Sequence, residues 1–163
     1  VEKREWLILI HVIFICTGNI CRSAMADGYL KYRVKELGLS EKIKVTSAGT
    51  HAIKGDRSPI NAIKAIEKYG VDISNHSASI LDKHELMSAD YILVMTNLHK
   101  QNVLSRFPEL NGKVKLLKEY AESNGYMEID DPWGFDIDIY ESVAKEIVEC
   151  IEKFIQKINI GEW

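Results

Sequence analysis

The sequence predicts an α/β fold: a single three-layer domain with a parallel sheet between helices. Three observations carry this reading. Apolar runs such as "HVIFIC", "KIKVTSAG", "DYILVM" and "KVKLL" alternate with stretches of helical period, the pattern that builds strand–helix–strand units. The first and third runs have apolar centres with little polar alternation, as strands covered on both faces do. A chain of 163 residues, 46% hydrophobic and 28% charged, fits one domain with a real core.

Each element follows from local chemistry. The first strand is expected at about Leu9 to Ile15. Lys3 and Arg4 ahead of "WLILIHVIFIC" resemble the start of a signal peptide. That stretch contains His11, is too short to span a bilayer and is followed by no small-residue cleavage site. Residues 1–8 are read as a possible N-terminal extension with no function assigned. A helix is expected from about Cys21 to Leu37, with Met25, Tyr29 and Tyr32 at helical spacing and Gly38 just past its end. In the second strand Ile43 and Val45 share one face, Lys42 and Lys44 the other.

Ser58 and Pro59 read as a helix cap and a first-turn proline, with Ala62, Ile63 and Ile66 continuing the stripe to Gly70. "ILDKHELMS" reads as a short helix, and Asn97 to Phe107 as another, stopped by Pro108. Lys118 to Asp138 has no period, and an irregular segment of that length in a compact domain usually carries function. Asp138 with Glu141 reads as a capping box. It opens a last helix whose apolar stripe, Tyr140 to Ile158, is core packing.

Composition excludes several classes. A net charge of −3 without a long basic run argues against nucleic acid as a partner, and no segment reads as a membrane span. The three cysteines, Cys16, Cys21 and Cys150, form neither a disulfide framework nor a set with zinc-ligand spacing. The expectation is a protein of the reducing cytoplasm, with no metal and no cofactor.

The informative stretch is "FICTGNICRS". A strand ending on Cys16, a tight loop with Gly18 and a helix beginning near Cys21 make an anion cradle. Loop amides converge on one point and the helix dipole adds positive potential there. Cys16 sits at the loop's start as a candidate nucleophile. Arg22 at its far end offers a bidentate fork to two oxygens of a tetrahedral anion. The bland alternative makes Cys16 a small buried residue at a strand end and Arg22 a solvated helix residue.

"CTGNICRS" resembles the signature loop of the low-molecular-weight protein tyrosine phosphatases, and "TSAGT", "NHSA", "DYILVMT" and "DDPWG" fall where that family has counterparts. The resemblance covers most of the chain. It implies a four-stranded parallel sheet in the order 2-1-3-4 and a metal-independent mechanism through a cysteinyl-phosphate. It implies phosphate binding by the loop Thr17, Gly18, Asn19, Ile20, Cys21 and Arg22. Asp131, of the pair Asp131-Pro132, would be the general acid, with Asp130 an adjacent rival. Ser23 would hydrogen-bond the thiolate; Asn19 would hold the loop's strained shape, supported by Ser47 and His76. Cys21 matches the family's second cysteine, either a redox partner for Cys16 or a core residue of the helix start.

Substrate selection rests on fewer residues. Trp133 and Phe135 offer an aromatic wall. Ile20 matches the aliphatic residue of the tyrosine-directed enzymes, where related arginine phosphatases carry threonine. Ile53 stands where the family often has tryptophan. The expected partners are phosphotyrosine-containing proteins, acted on by a monomer. Phosphoarginine is the alternative substrate, and a non-catalytic phosphate-binding module the alternative of another class. Arsenate reductases of this fold need further mid-chain cysteines, and none lies between Cys21 and Cys150.

Overall fold

The computed structural model describes residues 9–121 and 125–158; the proposed extension at 1–8 lies outside them. Four strands, β1 (Ile10–Cys16), β2 (Ile43–Gly49), β3 (Tyr91–Val94) and β4 (Val114–Leu116), form one parallel sheet in the order β2-β1-β3-β4. Both the parallel sheet and the order 2-1-3-4 are as expected. The register sets Cys16 opposite Gly49 on β2 and Val12 opposite Tyr91 on β3.

Among the described residues five helices cover the sheet: α1 (Arg22–Glu36), α2 (Ile60–Glu67), α3 (Lys83–Ser88), α4 (Asn97–Arg106) and α5 (Ile137–Lys157). The side-chain alternation of β1 divides the core in two. Val12, Phe14 and Cys16 pack with α1, α2 and α5, while Ile13 and Ile15 pack with α3, α4 and the Leu110 turn. Both faces are thereby covered, which is why the β1 run carries so little polar alternation.

Several boundaries differ from expectation, α3 among them, which begins at Lys83 and not at Ile80. α2 begins at Ile60 with Pro59, in extended conformation, at the cap position, and the buried Ser58 hydroxyl has no partner among the described residues. Ser58 therefore caps nothing. α5 begins at Ile137 and is capped by Asp136, whose carboxylate accepts from the Ile139 amide; Asp138 lies in its first turn. Proximity decided this: a short side chain caps the turn it immediately precedes. The irregular stretch also begins on a short 3₁₀ segment, Leu117–Tyr120.

The strand order places the site. β1 connects outward to β2 on one side and is bordered by β3 on the other, so the crevice beyond their carboxyl ends is the topological switch point. The loop from Cys16 to Cys21 opens there, beside the turns that follow β2 and β3.

Candidate active site

The loop is built around one strained residue. Asn19 is fully buried and has a φ of 55°, the only positive φ of a non-glycine residue among those described. A left-handed asparagine is tolerated where the surroundings fix it. Here its carbonyl accepts from His76 Nε2 at 2.7 Å and its Oδ1 from the Ser79 amide at 2.9 Å. Its Nδ2 donates to Ser23 Oγ at 2.7 Å. Ser23 Oγ lies 3.0 Å from Cys16 Sγ; with one lone pair taken by Asn19, the serine's own proton is left for the sulfur.

Of the two residues expected to support Asn19, His76 contacts it and Ser47 does not. Its hydroxyl donates to Asp27 Oδ2 at 2.6 Å, tying β2 to α1 instead of holding Asn19. Ser79 fills the expected place through its backbone, which no side-chain pattern announces. Gly49 was also missed as a requirement. A Cβ there would sit 2.4 Å from the Thr17 carbonyl and 3.0 Å from the Asn19 nitrogen. The loop packs directly on a position where only glycine fits.

α1 starts with its amides uncommitted. Its cap residue, Cys21, makes no side-chain capping bond, and its first turn has no acidic residue. The orphan N–H groups of a helix start seek an anion in such a case. Arg22, 4% exposed, donates from Nη1 to the Ile129 carbonyl at 2.9 Å. Its Nε is buried without a partner among the described residues, and Nη2 stands 3.6 Å from Asp131 Oδ2. One edge of the guanidinium is therefore anchored while a buried donor is left for an oxyanion.

The two neighbouring carboxylates are separated by their partners. Asp130 accepts from the Tyr126 hydroxyl at 2.6 Å, a bond that pushes the phenol up to about 12. Asp131 accepts from the Trp133 amide at 3.1 Å through Oδ1, leaving Oδ2 toward Arg22. Ile129, fully buried, fixes this segment: its amide donates to the Met95 carbonyl and its carbonyl receives Arg22.

These groups surround a cavity of about 210 Å³ lined by Cys16, Thr17, Gly18, Ile20, Cys21, Arg22, Asp131 and Trp133. Ile53, 68% exposed, and Phe135, 60% exposed, do not line it. A larger polar cleft of about 680 Å³ lies behind the loop, among Asp27, Ser47, His76, Ser79 and Glu85, and shares no residue with the first. Size does not choose between them; the thiol, the buried guanidinium and the carboxylate converge only on the smaller one. Cys21 also reaches Tyr140, its Sγ 3.5 Å from the hydroxyl, and burial pushes its thiol up to about 11. All three cysteines are free. No group of three or more His, Cys, Asp or Glu suited to a metal occurs among the described residues. No described helix is long and apolar enough to cross a membrane.

The family model described as low molecular weight phosphotyrosine protein phosphatase matches residues 11–161. A protein-arginine-phosphatase of Bacillus subtilis is 35% identical over 148 residues, 91% of this chain and 96% of that protein. A probable low molecular weight protein-tyrosine-phosphatase of Ralstonia nicotianae is 31% identical, over 91% of this chain and 95% of its own. The solved low molecular weight protein tyrosine phosphatase of T. tengcongensis superposes with a TM-score of 0.83 at 36% identity, covering 91% of this chain and 99% of that one. Fold, loop and relatives agree, and this chain belongs to the low molecular weight phosphotyrosine protein phosphatase family of enzymes.

Proposed function

We propose that the chain hydrolyses phosphotyrosine in proteins through a cysteinyl-phosphate formed on Cys16. One observation carries the reading: Cys16, Arg22 and Asp131 line one small cavity, with a serine hydroxyl 3.0 Å from the sulfur. The phosphoryl oxygens would rest on the amides from Thr17 to Arg22 and on the free edge of Arg22. Cys16 Sγ, as thiolate, attacks phosphorus; the P–O bond to the phenol breaks, and Asp131 delivers a proton to the leaving oxygen. Asp131 then takes a proton from water as the water oxygen attacks phosphorus. The P–S bond breaks, inorganic phosphate forms, and Ser23 donates to the departing thiolate. Every step uses groups the chain supplies, without metal or cofactor.

Ile20 and Trp133 are the apolar residues on the cavity wall, and they suit a flat phenyl ring. A second reading, phosphoarginine, is favoured by one finding, the 35% identity to an arginine phosphatase. The experiment is phosphate release from phosphotyrosyl, phosphoseryl and phosphoarginyl substrates, with reductant and chelator. Turnover greatest on phosphotyrosine supports the proposal. Preference for phosphoarginine overturns the substrate and keeps the mechanism. Release from none revives the phosphate-binding module. We further read the protein as one domain, monomeric, in the reducing cytoplasm, where three free thiols are at home.

A further inference from the structure

We propose that the Thr17 hydroxyl is a direct donor to the bound phosphoryl group and that His99 is the positioning residue that aims it. Thr17 follows the nucleophile, is exposed, and lines the cavity with Cys16, Arg22 and Asp131. Its Oγ1 lies 2.8 Å from His99 Nε2, on the first turn of α4. His99 itself is only 4% exposed.

Neighbouring donors fix the tautomer. The Thr96 backbone N–H, 3.2 Å from His99 Nδ1, requires a lone pair on that nitrogen. The ring hydrogen must then sit on Nε2, and the imidazole donates to Thr17. A hydroxyl that accepts from a buried histidine keeps its own proton to give away. The acceptor within the cavity is an oxygen of the tetrahedral anion seated on Arg22. Thr96 caps α4 and its hydroxyl receives the His99 amide at 3.3 Å, so the chain of bonds runs from the end of β3 through His99 into the loop. The proposal rests on phosphate occupying this cavity, the core of the function proposed above.

The test uses inorganic phosphate as the probe, by titration calorimetry, with kcat/KM on a phosphotyrosyl peptide as a second readout. Thr17→Val, which keeps the shape and removes the hydroxyl, should weaken phosphate binding by about 10- to 100-fold, the range of one hydrogen bond to a charged group. Thr17→Ser, which keeps the hydroxyl, should recover most of the affinity lost in Thr17→Val. His99→Phe should weaken phosphate comparably, His99→Gln should restore most of the loss through its amide hydrogen, and His99→Phe should cost little more in a Thr17→Val background. Phosphate affinity unchanged in Thr17→Val overturns the proposal. So does full multiplication of the two losses, since it would make His99 merely structural. Should His99→Phe fail to fold, Thr17→Val, on an exposed side chain, decides alone. A wild type that binds phosphate but hydrolyses nothing would sink the phosphatase reading while the calorimetry still judges the hydroxyl.

Discussion

At the scale of single residues the sharpest question is which of two adjacent aspartates moves the proton. Asp130 is held by Tyr126, whereas Asp131 lines the cavity and faces Arg22. Asp131→Asn is expected to lower turnover on substrates with poor leaving groups by about 10²- to 10⁴-fold, the usual scale of acid–base assistance. The loss should shrink on activated aryl phosphates, whose leaving groups need no proton. Asp130→Asn should stay near wild-type turnover. Steady-state rates across a series of leaving groups check both, and equal losses in the two variants would undo the assignment. Ile20 bears on selectivity in the same way. Ile20→Thr narrows an apolar wall and adds a hydroxyl, and it should move the kcat/KM ratio toward phosphoarginine. A ratio unchanged in competition assays would shift that selectivity to the acid loop.

At the scale of elements, the strands and helices were legible because apolar period is local information. The "HVIFIC" run became β1 and the Tyr140 to Ile158 stripe packs as α5. Cys16 and Arg22 drew notice by flanking a strand–loop–helix turn and Asp131 by the resemblance of Asp131-Pro132 to the family's pair, and the structure brings the three to one cavity. What stayed hidden was made by backbone or by distant pairing. The Ser79 amide and the Ile129 carbonyl hold the loop and Arg22, and neither has a side-chain signature. Ser47 was misplaced because its partner, Asp27, stands on a different element. His99 did leave a trace: Thr96 followed three residues later by a hydrogen-bonding side chain is a capping-box spacing with histidine in the usual place of Glu or Gln. Gly49 offers the test at this scale. Gly49→Ala should displace the loop, because the obstructing atoms, the Thr17 carbonyl, the Asn19 nitrogen and the Ala52 Cβ, cannot swing aside. The expected outcome is a loss of phosphate binding together with a destabilisation of about 1–3 kcal/mol, as for other overpacked sites. Chemical denaturation and phosphate titration of the same variant would show it, and a variant with wild-type phosphate affinity would contradict the packing argument.

At the scale of the whole molecule, two buried histidines tie stability to pH. His99 is lowered from 6.5 to about 4, first by burial, then by Arg22, with Asp131 opposing and His51 adding slightly to the lowering. His11, 4% exposed on β1 and hydrogen-bonded to Thr46 on β2, is lowered too, by burial and then by Lys44, against Glu85 and Asp90. For both, the unfolded chain takes up a proton at a higher pH than the folded one. Their contribution is therefore fully present above about 6.5 and is lost as pH falls below it, for His99 down to about 4. That interval corresponds to about 3 kcal/mol for a single site, a large share of the stability of a domain this size. The melting temperature should accordingly fall from pH 7 to pH 4, and His99→Gln, which cannot titrate, should flatten much of that slope while leaving His11's smaller part. Protonated His99 would also lose its acceptor nitrogen against the Thr96 amide, so the acid-weakened region is the junction of β3, α4 and the phosphate loop. Phosphate affinity should consequently fail at a higher pH than the sheet melts. Circular dichroism and phosphate titration over the same pH series would separate the two, and coincident midpoints would mean that the loop and the core unfold as one unit.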